Sequence, residues 1–170
     1  MRRFWIAICL VVLSASWPAL LSAQPLECTG KAAQAQLSAI NPVYVDAMEL
    51  ARQLIDHGFI LRCVQASKMQ NVFDGQRGAA LYVTDEGSFD VLFLTKEQSF
   101  SSVQVVEQNE GKRHMYSFRG TPSSRFHSDG NKKTYFITFG NLLFVAWSDA
   151  ELAATIQNKI PGAHALSTAP

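Results

Sequence analysis

The residues best suited to chemistry lie between Gly120 and Lys133, in the stretch GTPSSRFHSDGNKK. His127 stands two residues before Asp129, where an imidazole base and an orienting carboxylate, or two metal ligands, could face one substrate. Arg125, Phe126, Lys132 and Lys133 surround them, a set that would instead hold an anionic or mixed apolar partner. The surrounding sequence favours the second use. Zinc needs three or four ligands converging from rigid elements, and no HExxH, HxxxH or CxxC pattern is present. The other histidines, His57, His114 and His164, are scattered. No GxSxG elbow supplies a serine nucleophile, and the glycines fit neither GxGxxG nor GxxxxGK[ST]. Ser, Asp and Gly are also ordinary turn residues. No catalytic residue, metal or cofactor is therefore assigned. Arg125, Phe126, His127, Asp129, Lys132 and Lys133 stand as a candidate binding loop, long for a hairpin connection.

The excess of positive charge extends beyond that loop. Lys112, Arg113, Arg119, Arg125, Lys132 and Lys133 face only Glu110 and Asp129, with Tyr116, Phe118 and Phe126 among them. An anion-binding surface over 112–133 is one alternative function. The whole chain gives no such bias. Of its 15 Lys and Arg, Arg2 and Arg3 precede the apolar run FWIAICLVVLSA and the small-residue end at Ala23, the layout of a secretory signal peptide. Removing them leaves 13 basic against 14 acidic side chains, so nucleic acid is not an expected partner.

Export to a periplasmic or extracellular space follows from the leader over 1–23. The remainder then keeps two cysteines, Cys28 and Cys63, which an oxidising compartment would pair. Such a disulfide would tie the segment 24–40 to the body, with Cys63 on the same alternating face as Phe59 and Leu61.

One domain over 41–161 and a flexible tail over 162–170 complete the expected organisation. Asn41-Pro42 opens a helix whose stripe is Val43, Ala47, Leu50, Leu54 and Ile55, and Gly58 closes it. Phe59 to Ala66 reads as the first strand, and SKMQNVFDG as a short helical turn boxed by Ser67 and Gln70. Hairpins are expected at Asp85–Ser88, at Asn109-Glu110-Gly111, and at Gly140-Asn141 inside TYFITFGNLLFVAWS. That last run is too short, and too clearly broken by its turn, to span a bilayer as a helix. Ser148 would cap the final helix, with Trp147 stapled on Leu152. The fold class is α+β: an N-terminal helix, a curved, mostly antiparallel sheet of about seven strands, and a C-terminal helix. The functional expectation is a small exported, non-catalytic domain that binds an envelope protein or a small apolar or anionic ligand. A hydrolase or metal-dependent enzyme using His127 and Asp129 is the other alternative.

Overall fold

The computed structural model describes Cys28, residues 42–124 and residues 127–169, without the side chains of 127–129 and 169. The leader, Asn41 and all of the 24–40 segment except Cys28 lie outside the described residues. Helix α1 (Tyr44–Asp56) buries Ala47, Leu50, Ala51 and Leu54. It ends at Gly58, whose φ of +79° lets Phe59 N–H reach Leu54 C=O and Gly58 N–H reach Ile55 C=O, both at 2.9 Å. Ile55 is exposed, because one step beyond Leu54 turns a side chain about 100° round the helix and off the stripe.

Ten strands follow among the described residues: β1 (Leu61–Ala66), β2 (Gln76–Thr84), β3 (Gly87–Leu94), β4 (Gln104–Glu110), β5 (Arg113–Arg119), β6 (His127–Gly130), β7 (Thr134–Phe139), β8 (Leu142–Trp147), β9 (His164–Ala165) and β10 (Thr168–Ala169). Helix α2 (Ala150–Lys159) lies between β8 and β9. The fold is α+β and mostly antiparallel, with one helix toward each end. The strands do not make one curved sheet of about seven. They form a six-stranded sheet, β1-β2-β3-β8-β7-β9, and a four-stranded sheet, β10-β4-β5-β6, in which only the β10–β4 pair is parallel.

This division explains the strands that are apolar on both faces. Tyr82, Phe89, Val91, Phe144 and Ile137 pack under the helices, and Tyr82 donates its hydroxyl hydrogen to Ala47 C=O at 2.9 Å. Leu92, Leu94, Leu143 and Val145 face the other way, onto Val105, Tyr116 and Phe118 of the second sheet. The Phe73–Phe118 and Phe118–Phe136 rings meet edge to face, 5.2 and 4.9 Å apart. Helices, large sheet and small sheet thus make three layers with two cores.

TYFITFGNLLFVAWS is the β7–β8 hairpin, turning on Gly140-Asn141 as expected. No helix among the described residues is long and apolar enough to cross a membrane. The β4–β5 turn is tighter than expected. Glu110 pairs with Arg113 across Gly111-Lys112, with Gly111 at φ +63°. SKMQNVFDG is no helical turn. The Gln76 side chain accepts from Val72 and Phe73 N–H and donates to Met69 C=O, supplying the loop's bonds itself. Asp149, not Ser148, caps α2, accepting from Leu152 N–H at 2.8 Å. Trp147 bonds Asp90, while Leu152 packs in the core beneath the helices, so no staple forms.

Cys28 and Cys63 are joined in a disulfide, and Cys28 N–H also bonds Val64 C=O at 3.1 Å. A bulge between Leu61 and Cys63 shifts the register. Val64 therefore faces the helix-side core, and Cys63 the opposite side from Phe59 and Leu61, contrary to simple alternation. In the stretch after α2, β9 pairs with β7 and β10 with β4, so it straps one sheet to the other.

Candidate functional site

A cleft of about 170 Å3 opens where β5 to β8 end near the turn at Asn131 and Lys132. Tyr116, Gly130, Asn131, Lys132, Thr134, Trp147 and Ser148 line it. Strand alternation puts Tyr116 on the inner face of the small sheet, with Val105 and Phe118. Its hydroxyl oxygen accepts from Thr134 N–H at 2.9 Å, and its hydrogen points to Glu107 Oε1 at 3.4 Å. Burial pushes the phenol pKa up, the Thr134 N–H opposes this, and the Glu107 charge pushes it up again, so Tyr116 is a neutral hydroxyl. His114 Nδ1 donates to the same Glu107 oxygen at 2.8 Å, and its ring lies nearly parallel to that of Tyr116, 6.3 Å away.

Trp147 supplies another wall. Its Nε1–H donates to Asp90 Oδ2 at 2.6 Å, which fixes the indole plane. Asp90 is buried, and burial pushes its carboxyl above the ordinary range, against the bonds from Ser67 and Trp147 that hold it down. Next to it, Ser148 has φ +61°, a left-handed conformation that costs a non-glycine residue about 1–2 kcal/mol. Lys132 is exposed at the mouth and makes no ion pair among the described residues.

The predicted site residues are only partly brought together. Lys132 lines the cleft, whereas the adjacent Lys133 stands over the Tyr135 ring, 5.8 Å from its centre. The 120–133 stretch is not an open loop: Ser124 bridges to Phe73, and residues 127–130 form β6. His127 and Asp129 lie opposite Ser117 and Met115 in the β5–β6 register. Their side chains, with Arg125 and Phe126, lie outside the described residues. Arg113 and Arg119 sit at opposite ends of β5, about 20 Å apart at the usual rise per residue, and Tyr116 and Phe118 are buried.

Sequence reasoning missed the Glu107–His114–Tyr116 set, the Trp147–Asp90 pair and the strained Ser148. A signal for the first existed. Had Gly111-Lys112 been read as the turn, Glu107 would have fallen opposite Tyr116 and Asn109 opposite His114, as they do. Nothing local couples Asp90 to Trp147, 57 residues away. Among the described residues, no group of three His, Cys, Asp or Glu side chains could hold a metal ion.

A second hollow, of about 200 Å3, lies between α1 and the ends of β2 and β3. Its floor is Leu50, Phe93 and Leu142, and the Asp46–Arg77 ion pair spans part of its rim. No protein-family model, curated protein or solved structure matches the chain.

Proposed function

We propose that this chain is a small exported, non-catalytic binding domain whose cleft takes a small ligand with a flat apolar body and an anionic group. The carrying observation is Lys132, an exposed ammonium that makes no ion pair among the described residues, at the mouth of a cleft walled by Trp147 and Tyr116. Aromatic walls suit a planar body, and an exposed cation at the rim suits a carboxylate or phosphate. The Thr134 and Ser148 side chains provide hydroxyls to orient it. Export is supported by the leader pattern over 1–23 and by the Cys28–Cys63 bond, since disulfides persist in oxidising compartments. For the enzyme alternative, His114 held by Glu107 is a better base than His127, whose partner would stand two residues away on the same strand.

The test uses the chain from residue 24, in which Trp147 is the single tryptophan and so reports on the cleft alone. Titration with 1-naphthoate should change its fluorescence saturably. Lys132→Ala should weaken binding about ten-fold, equivalent to about 1.4 kcal/mol, and added salt should weaken the wild type. Equal binding of naphthoate and uncharged 1-naphthalenemethanol by the wild type would remove the anionic part of the proposal. No saturable change with either would remove the cleft.

A further inference from the structure

The last residues behave as a bound peptide. After α2, Pro161-Gly162 redirects the chain, with Gly162 at φ +86°. His164 and Ala165 then pair antiparallel with Thr138 and Ile137. Leu166 donates its N–H to Phe136 C=O at 2.8 Å and packs its side chain against the core between the sheets. Thr168 and Ala169 pair parallel with Val105 and Val106. This is the pattern of strand addition, in which main-chain bonds hold an extended segment and one pocket selects a side chain.

The tail uses little of what the groove offers. It pairs with two of the six residues of β7 and two of the seven of β4. His164, Ala165, Ser167 and Thr168 are exposed, and Leu166 is half-buried. Segments with few buried contacts and exposed main-chain bonds open at the lowest free energies in a fold. A separate strand running further along β4, past Val106, would meet main-chain groups that the tail leaves unpaired.

We propose that the groove between β7 and β4 is an acceptor site for an extended segment of a partner protein. The segment is uncharged, with an apolar side chain flanked by small residues. The chain's own tail fills this site until the partner displaces it. The recognising chemistry is that of the tail itself, Ala165-Leu166-Ser167. The site is separate from the cleft at Trp147, so neither proposal depends on the other.

The test uses the full chain and a fluorescein-labelled peptide copying residues 162–170, followed by fluorescence anisotropy. Leu166→Asp should free the groove by making the tail unfit for its pocket. Because a site occupied by its own tail binds more weakly in proportion to the unoccupied fraction, the variant should bind the peptide at least about ten-fold more tightly than wild type. The same peptide with aspartate in place of its leucine should bind neither. Equal affinity for both proteins, or no binding to a variant that still melts cooperatively, would overturn the proposal. If Leu166→Asp fails to fold, Ala165→Pro, which removes the N–H bonded to Gln157 Oε1, replaces it with the same expectations. A wild-type dimer in sedimentation that the peptide dissolves would assign the groove to a second copy of this chain, and would also overturn the partner.

Discussion

Asp90 and Glu86, four residues apart, titrate in opposite senses. Burial raises the Asp90 pKa, and its two hydrogen bonds only partly offset this. At Glu86 burial also pushes upward, but the bonds from Lys159, the backbone and Thr84, with the Lys159 charge, leave the pKa below its ordinary value. Lys159 Nζ sits 2.6 Å from the carboxylate. A raised acid pKa means the folded state holds its proton longer. The Asp90 contribution is thus whole below the unfolded pKa of about 3.9 and is lost as pH rises through the folded value. The Glu86 contribution is whole above about 4.3 and is lost as pH falls through its lowered value. Denaturant titrations from pH 3 to 7 should show Asp90→Asn removing part of the loss of stability on raising pH. Glu86→Gln should remove part of the loss on lowering it. Parallel curves for Asp90→Asn and wild type would mean the carboxyl is solvated in the folded protein.

At the scale of elements, turns and periodic stripes were legible, and long-range consequences were not. Gly58 and Gly140-Asn141 marked their turns because local backbone chemistry decides them. The α2 cap fell one residue late because Ser148 and Asp149 are both good caps, and the left-handed turn at Ser148 settles the choice. Asp149→Ala should cost about 1 kcal/mol, while Ser148→Ala, which removes no cap, should cost less. Thermal melts of the two variants would separate them. The core hairpin makes the larger demand. Phe144 is fully buried, its ring centre 5.9 Å from that of Phe89. Phe144→Ala should lower unfolding free energy by about 3–5 kcal/mol, read from urea curves. A cost below about 1 kcal/mol would place that side chain outside the core.

For the whole molecule, the apolar faces announced a covered sheet, but not what covers it. Strand periodicity says that Leu92 and Leu143 are inside without saying whether curvature or a second sheet lies above them. The tail was equally opaque, since two-residue strands such as His164–Ala165 carry no periodic signal. The disulfide was legible because Cys28 and Cys63 are the two cysteines outside the 1–23 segment. Closing a sequence separation of 35 residues, it should stabilise the fold by about 3–4 kcal/mol on chain entropy. Urea unfolding of the Cys28→Ser/Cys63→Ser variant should show that loss, and reductant should then change nothing further. An unchanged midpoint would mean that hydrogen bonding, such as Cys28 N–H to Val64, already fixes the segment.

The strand order β3-β8 puts neighbours in the large sheet that are far apart in the chain, with β4 to β6 of the small sheet inserted between them. Vectorial synthesis must therefore deliver almost everything before the central seam can close. While β8 is still on the ribosome, β3 has an open edge where β8 belongs, and neither core is complete. Such long-range pairing is slow to form. For a protein that leaves the cell as proposed above, that delay has a use: the nascent chain stays loose enough to be threaded through a translocation pore, and locks only on the far side.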